Sequence, residues 1–264
     1  MKISVLAPAY NEEDHIGKFI DETEAVMDGL GLDYEIIVVD DGSTDRTREV
    51  AQQRASNPRV KVVGYGDNMG KGYALRQGFA HATGELLLLL DSDMDISPKQ
   101  ITRYIGASEL GDVVIGSKWH PKSRTEMPCI RRFLSHGFHL MVILLTGLRV
   151  SDTQSGMKAF RRTVLERVLP RLAMKRFAFD VEFLTVANLK GFRIIEYPID
   201  IRMSGPTKLG SLVKMVWSMF MEILGITYRL RVLKWYKQEI GALPPSRLPL
   251  CNCARSHWRT CSSR

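Results

Sequence analysis

Cysteine is scarce in this sequence, and its four cysteines form no pattern typical of a disulfide-rich or zinc-binding domain. Cys129 stands alone, whereas Cys251, Cys253 and Cys261 lie close together near the C-terminus. A disulfide framework and paired Cys-x-x-Cys zinc motifs both need other spacings. We therefore expect a chain that works in a reducing, cytoplasmic setting.

Long apolar runs are also missing. The first residues, MKISVLAPAYNEE, are apolar only as far as Pro8 and then become acidic, so they have neither the length nor the cleavage site of a signal peptide. They predict a first strand instead. No stretch reaches the ~20 uncharged residues that a membrane-spanning helix needs, so we expect no transmembrane span.

Most of the chain lacks an excess of either charge, because its basic and acidic residues are nearly equal in number. The net charge of +8 arises from Ile201 onward, where there are 11 Lys or Arg and two acids; 26 of the 37 basic and 27 of the 29 acidic residues precede it. A neutral body with a basic C-terminal part argues against a nucleic-acid partner.

Two common nucleotide-binding motifs are absent as well. The segment GDNMGKG is similar to a phosphate loop, but Gly66 to Lys71 is one residue short of the Walker A spacing, and Gly72 replaces the required hydroxyl. No Gly-x-Gly-x-x-Gly follows the first strand, which disfavours a dinucleotide-binding Rossmann enzyme.

Short apolar runs alternate with amphipathic stretches along the chain. We predict strands at ISVLAP, YEIIVVD, VKVVGY, ELLLLLD and DVVIGS. Their near-continuous Val, Ile and Leu indicate strands covered on both faces, as in a parallel sheet with crossover helices. The predicted fold class is α/β, with a mostly parallel, doubly wound sheet that binds ligands at the carboxyl ends of its strands.

Acidic residues follow two of these strands. Asp41 follows the second, and Asp91, Asp93 and Asp95 occupy every second position after five leucines. Crowded carboxylates are costly unless a cation or hydrogen-bond donors compensate them, and oxygen ligands suit Mg²⁺ or Mn²⁺. The same spacing fits a solvated helix N-terminus before Pro98 equally well, so these residues alone leave both interpretations open.

Four motifs at the predicted strand ends closely resemble the family 2 inverting glycosyltransferases of GT-A fold. They are APAYNEED, EIIVVDDGSTDRT, DNMGKGYALRQGFAHATGE and LLLLLDSDMD. The resemblance continues through IGSKW, IRRFLSHG, DTQSGMKAFRR, FAFDVEFL and IDIRMSGPTKLG to about residue 236. It favours the branch that makes dolichyl-phosphate mannose and dolichyl- or polyprenyl-phosphate glucose. It implies a GT-A domain over residues 1–205, amphipathic membrane-associating helices over 206–240, and a basic tail over 241–264, which we expect to be disordered.

The resemblance also implies functional residues. The nucleotide-sugar would be bound by Pro8, Tyr10, Glu12, Val39, Asp41, Ser92 and Ser135. The metal ligands would be Asp91, Asp93 and Asp95, and the catalytic residues would be Asp91, Asp93, Lys118, Arg131, Arg202 and Lys208. Lys118 stands where these enzymes often have Arg, and Lys lacks the bidentate geometry of Arg. Asp95 replaces the Gln that is common in mannosyl enzymes.

The reaction implied by the resemblance is transfer of a hexose from a UDP-glucose or GDP-mannose type donor to dolichyl or polyprenyl phosphate, with Mg²⁺ or Mn²⁺ as cofactor. An anionic phosphate acceptor needs no strong general base. The alternative is a family 2 enzyme that uses a glycan or lipid hydroxyl, with Asp152, Asp180 or Glu182 as base. A third hypothesis is a scaffold that binds nucleotide-sugar or membrane without turnover.

A lipid acceptor requires a membrane surface, for which residues 211–237 are the candidate. Charged residues interrupt this apolar stretch, so we expect it to lie in the bilayer interface. The side chains expected to face the acyl chains are Trp217, Phe220, Leu224 and Trp235. The apolar segment 133–147, with His136 and His139, is also too short to span. We expect a peripheral protein on the cytoplasmic face of a membrane; the alternative for 211–237 is a core helix pair or a homo-oligomer face.

Overall fold

The computed structural model describes residues 1–174, 176, 178–202 and 209–237, which form a sheet with helices on both faces. The described strands are β1 (Ile3–Ala9), β2 (Tyr34–Asp40), β3 (Val60–Gly64), β4 (Leu86–Leu90), β5 (Val113–Ser117), β6 (Arg124–Glu126), β7 (Met157–Arg161), β8 (Ile194–Pro198) and β9 (Asp200–Arg202). The described α-helices are α1 (Ile16–Leu30), α2 (Thr47–Arg54), α3 (Lys71–His81), α4 (Ile101–Ala107), α5 (Cys129–Thr146), α6 (Arg162–Val168), α7 (Phe179–Leu189) and α8 (Leu209–Arg231).

The main sheet has the strand order β3-β2-β1-β4-β7-β5-β8. Its strands run parallel except for β7, which is antiparallel to both β4 and β5. Strands β6 and β9 form a separate parallel pair. The predicted mostly parallel α/β fold is therefore confirmed, and the five predicted strands are β1 to β5.

The five leucines of β4 explain why a central strand is so apolar. Leu87 and Leu89 pack into the core beneath α3 and α7, whereas Leu86, Leu88 and Leu90 pack into the core on the opposite face, which includes α1 and α4. Successive side chains of a strand point to opposite faces. A strand covered on both faces therefore needs apolar residues at every position, and all five leucines are buried.

A buried carboxylate ties the strands together at the edge opposite their carboxyl ends. Glu35 accepts hydrogen bonds from Ser4 Oγ at 2.7 Å, from Thr83 N–H at 2.5 Å and from Lys61 Nζ at 2.6 Å. Burial alone would raise the pKa of Glu35, but these donors lower it to about 2. The ionised carboxylate therefore connects β1, β2, β3 and the turn before β4.

Helix α8 packs against the remainder of the fold. Its residues Ile223 and Ile226 are buried in the same core as α3 and α7, while Met221, Leu224 and Tyr228 are exposed. No helix in the described ranges is long and apolar enough to cross a bilayer. The domain boundaries at 205 and 240 stay a prediction, and the tail 241–264 lies outside the described residues.

Candidate active site

The carboxyl ends of β1, β2 and β4 meet at one edge of the sheet, because these strands are parallel neighbours. A cavity of about 440 Å³ opens at this edge. It is lined by Pro8, Ala9, Tyr10, Glu12, Asp41, Asn68, Gly70, Lys71, Asp91, Ser92, Asp93 and Arg176. Seven of these twelve residues are ones that the sequence assigned to the nucleotide-sugar or the metal.

Ser92 fixes the end of β4 against the end of β1. Its Oγ donates a hydrogen bond to the carbonyl oxygen of Pro8 at 2.9 Å, and the side chain is buried. On the other side, the N–H of Asp91 donates to the carbonyl oxygen of Gly156 at 3.0 Å. These two bonds hold the backbone between the flanking carboxylates, so Ser92 contributes to the shape of the cavity through its structural role.

Asp41 organises the loop that leads into α3. Its carboxylate accepts hydrogen bonds from Tyr65 OH at 2.7 Å, from Met69 N–H at 2.8 Å and from Gly70 N–H at 2.9 Å. The next residue, Gly42, has a φ of 71°, and a Cβ there would lie 2.5 Å from the backbone of Asp67. A glycine is required at this close approach, and the loop is thereby held over the cavity.

Lys71, the first residue of α3, pairs with the acidic end of β4. Its Nζ lies 2.7 Å from Asp91 Oδ1 and 2.8 Å from Oδ2. Burial would lower the pKa of Lys71, but the negative charges of Asp91 and Asp180 outweigh that effect and raise it. The cavity therefore contains a permanent ammonium group next to Asp91, one of the three predicted metal ligands.

Asp93 experiences uncompensated negative charge. Burial, together with the charges of Asp91 and Asp95, raises the pKa of Asp93 to about 6. The Oδ1 atom of Asp91 is buried and accepts no hydrogen bond of good geometry from the described residues. A divalent cation would relieve both conditions, so this pair of carboxylates fits Mg²⁺ or Mn²⁺.

The described residues provide no third carboxylate beside Asp91 and Asp93 to coordinate a metal ion. Among the described residues, no three His, Cys, Asp or Glu side chains are grouped so that they could hold a metal by themselves. Asp95 is absent from the cavity lining, and its N–H donates to Asp93 Oδ1 at 3.0 Å across a turn in which Met94 has a φ of 62°. The remaining ligands of a cation would therefore have to come from a substrate or from water, as is common for Mg²⁺.

Val39 and Lys118, like Asp95, lie outside the cavity lining. Val39 is buried in the apolar core, where it faces Gly78 of α3. Lys118 follows β5, and its Nζ lies 3.4 Å from Asp152 Oδ2, with both side chains largely buried. The N–H of Lys118 donates to the same carboxylate oxygen at 3.2 Å, so Asp152 fixes this residue through backbone and side chain together.

Helix α5 carries Arg131 and Ser135. Ser135 is half-buried, and the side chain of Arg131 is outside the described part of the structure. One residue on, the ring of His136 packs against that of Trp119 with a centroid distance of 4.0 Å, which joins α5 to the loop after β5. His136 thus has a packing role in this structure.

The remaining predicted residues come from the segment after β8. Arg202 ends β9 with an exposed side chain, and its N–H donates to the carbonyl oxygen of Asp95 at 3.0 Å. This bond brings the start of the basic segment close to the acidic end of β4. Lys208 lies outside the described residues.

Of the candidate bases, Asp180 and Glu182 serve as buried structural acceptors. Asp180 Oδ1 lies 2.9 Å from the fully buried Nζ of Lys158. Glu182 is fully buried, and its Oε2 accepts from the N–H groups of Ala173 and Met174 at 2.8 Å each. These bonds commit both carboxylates to holding the structure around the cavity.

Sequence reasoning assigned no role to Lys71 or Arg176, although both line the cavity. The GKG loop that contains Lys71 departs from the Walker A spacing, and that departure alone does not remove it from a phosphate site. One signal in the sequence could have identified Lys71. It is a lysine at the start of a helix that follows such a loop, and it faces the acidic residues at the end of a neighbouring strand. Arg176 lies in a loop between elements, and no local pattern places that loop over the cavity.

Comparisons with known proteins identify the family of this chain. The family model described as Glycosyl transferase family 2 matches residues 4–169. The chain is 35% identical over 213 residues to the dolichyl-phosphate beta-glucosyltransferase of Drosophila melanogaster, covering 72% of this chain and 64% of that protein. It is 32% identical over 216 residues to the human protein of the same name, covering 75% of this chain and 67% of that protein.

The fold is also similar to solved structures. Glucosyl-3-phosphoglycerate synthase from Mycobacterium tuberculosis, in complex with Mn²⁺, UDP-glucose and phosphoglyceric acid, superposes with a TM-score of 0.65 at 23% identity. The match covers 86% of this chain and 79% of that one. The chain spans about two thirds of the length of the curated relatives described above, at 64% and 67%.

Proposed function

Because the chain belongs to glycosyl transferase family 2, we propose that it transfers glucose from a nucleoside-diphosphate glucose to dolichyl or polyprenyl phosphate, with inversion at the anomeric carbon. Relatives that are 32% and 35% identical bear the name dolichyl-phosphate beta-glucosyltransferase, which favours glucose over mannose. The observation that carries the proposal is the placement of Asp91, Asp93 and Lys71 together in the cavity at the strand ends.

The donor would bind with its nucleoside near the ends of β1 and β2 and its diphosphate near the end of β4. Pro8, Tyr10, Glu12 and Asp41 line the first part of the cavity, and Asp91 and Asp93 line the second. Asp91 and Asp93 would hold Mg²⁺ or Mn²⁺, which supplies positive charge for the departing diphosphate. Lys71 supplies a second, resident positive charge at the same place.

The acceptor would be a lipid phosphate, whose oxygen is already anionic and attacks without losing a proton. The buried carboxylates Asp180 and Glu182 are engaged in ion pairs and backbone hydrogen bonds, which fits a reaction that requires no general base. We assign Lys118, Arg131, Ser135, Arg202 and Lys208 to the phosphates of donor and acceptor. In this role the ammonium group of Lys118 would remain paired with the carboxylate of Asp152.

We further propose that α5 and α8 lie against the cytoplasmic face of a membrane. Helix α5 exposes Ile130, Phe133, Leu140 and Leu144, and α8 exposes Met221, Leu224 and Tyr228. The two helices are joined where Arg231 donates to the carbonyl oxygen of Leu144 at 2.9 Å. The exposed cations after α8, which include Lys234 and Lys237, would face anionic headgroups.

The test is transfer of labelled sugar into a product that organic solvent extracts. Purified protein is mixed with polyprenyl phosphate in detergent and with UDP-glucose, GDP-mannose or related donors, with and without EDTA. We expect a product from a glucose donor that EDTA abolishes and mild acid hydrolyses. Transfer of mannose alone would refute the glucose assignment, and an acid-stable product would indicate a hydroxyl acceptor.

A further inference from the structure

Arg176 is a cation of the cavity lining that has no charged partner among the described residues. It lines the cavity together with Lys71, Asp91 and Asp93, and its side chain is exposed. Within the described residues its guanidinium makes no hydrogen bond or ion pair, and a guanidinium carries five N–H donors. Such a planar fork matches phosphate oxygens in a bidentate manner.

The charges in the cavity distinguish Arg176 from Lys71. Both side chains line the cavity and carry a positive charge. The Nζ of Lys71, however, lies within 2.8 Å of both carboxylate oxygens of Asp91. Arg176 has no such partner among the described residues. Among the described residues, an incoming anion would therefore compete with Asp91 for Lys71 and with no carboxylate for Arg176, which favours Arg176 as a contact for that anion.

The loop that carries Arg176 is anchored on both sides, and both anchors involve α8. Before Arg176, the N–H groups of Ala173 and Met174 donate to Glu182, which also accepts from Tyr236 OH and lies 3.4 Å from Arg229 of α8. After Arg176, the N–H of Ala178 donates to Glu222 Oε2 of α8 at 2.8 Å.

We propose that Arg176 binds phosphate oxygens of a substrate in the cavity, and that Glu222 of α8 positions it by holding the loop. This inference rests on the proposed function, because it takes the substrates to be a nucleoside diphosphate sugar and a lipid phosphate. Glu222 acts through the loop backbone and is therefore a positioning residue. The same helix then exposes an apolar face and supports the substrate cavity.

The first experiment measures equilibrium binding by calorimetry, using UDP and GDP and the matching nucleosides uridine and guanosine. The variants are Arg176→Ala, Arg176→Lys and the control Arg167→Ala, which removes an exposed arginine of α6 outside the cavity lining. For Arg176→Ala we expect the affinity for the nucleoside diphosphate to fall about tenfold or more, with nucleoside affinity unchanged. Arg176→Lys should retain part of the affinity.

A second measurement separates the two sources of phosphate. If Arg176 contacts the acceptor, Arg176→Ala leaves the affinity for the nucleoside diphosphate unchanged and raises the KM for polyprenyl phosphate about tenfold or more. Either a loss of diphosphate affinity or this rise in KM supports the inference. If neither quantity differs from that of Arg167→Ala, the inference is refuted. A parallel loss of nucleoside and diphosphate affinity also overturns it, because the defect is then a collapse of the cavity. Wild-type protein that binds no nucleoside diphosphate would contradict the proposed function itself.

Glu222 is tested by a matched pair of substitutions. Glu222→Ala removes the acceptor for Ala178 N–H and should reproduce the Arg176→Ala defect, whereas Glu222→Gln keeps an acceptor oxygen and should restore most of the affinity. The double variant Arg176→Ala, Glu222→Ala should be no weaker than Arg176→Ala alone. Additive losses would show that Glu222 does not act through Arg176.

Discussion

Gly156 lies against the carboxylate of Asp91, which makes it a suitable place to perturb the proposed metal site. A Cβ at residue 156 would lie 2.5 Å from Asp91 Oδ2 and 3.0 Å from Asp91 Cγ. The backbone of Gly156 does not have the positive φ that would strain an alanine. Gly156→Ala therefore changes little except the space available to Asp91.

The size of the effect follows from that distance. Ordinary carbon contacts lie at about 3.5 Å, so the Asp91 carboxylate must move by roughly 1 Å. Lys71 Nζ lies 2.7 Å from this carboxylate, and a movement that breaks this charged contact should cost about 1–2 kcal/mol of unfolding free energy. A displacement of this size in a reacting site lowers turnover by roughly 100-fold.

The assay compares Gly156→Ala with Gly106→Ala in sugar transfer, Mn²⁺ titration and thermal unfolding. Gly106 is an exposed glycine of α4, and apart from the adjacent helix backbone no atom lies within 4 Å of the position that an alanine Cβ would occupy there, so the control should keep full activity. We expect Gly156→Ala to remain folded, to need a higher Mn²⁺ concentration and to lose most of its turnover. If Gly156→Ala matches the control in all three measurements, Asp91 has no role in the site.

Three further predictions concern Asp93, helix α5 and Glu35. Asp93→Asn should abolish metal-dependent turnover with little change in unfolding, because its carboxylate is a proposed ligand. Phe133→Glu with Leu144→Glu should reduce co-sedimentation with anionic liposomes, because both residues are exposed on α5. Glu35→Gln should lower the unfolding free energy by up to about 3 kcal/mol at pH 7, and this deficit should shrink as pH falls from about 4.5 towards 2.

The sign of the Glu35 prediction follows from its pKa, which folding lowers from the ordinary 4.5 to about 2. Its contribution is complete above the unfolded pKa and is lost as protons bind the folded carboxylate. A deficit that grows on acidification would contradict this reasoning. For the membrane prediction the control is Leu110→Glu, which changes an exposed leucine after α4. If the α5 double variant and this control bind liposomes equally well, α5 does not contact the membrane. If Asp93→Asn keeps near-normal turnover, Asp93 is not a metal ligand.

The sequence was sufficient for the elements whose patterns are local. The apolar runs predicted β1 to β5, and the acids at the ends of β2 and β4 were correctly expected at one edge of a parallel sheet. Strand β7 was not predicted, because its MKAFR segment contains a lysine. The structure buries Lys158 completely by pairing it with Asp180, a contact that only the tertiary fold supplies.

The site was predicted less completely, because its contacts join distant segments. Residues in the strand-end motifs, such as Tyr10 and Asp93, line the cavity as expected. Val39 belongs to the core beneath α3 instead, since alternate residues of β2 face opposite sides. Arg176 is brought to the cavity by a loop whose hydrogen bonds reach Glu182 and Glu222, and no spacing in the sequence reveals that arrangement.

The most direct test of the central claim compares two acceptors that differ in one group. Wild-type protein is given labelled UDP-glucose and Mn²⁺, with either a polyprenyl phosphate or the polyprenol of the same length. The proposed mechanism relies on an acceptor that is already anionic, so we predict transfer to the phosphate and none above background to the alcohol. Efficient glucosylation of the polyprenol would contradict it and would require a general base in the site.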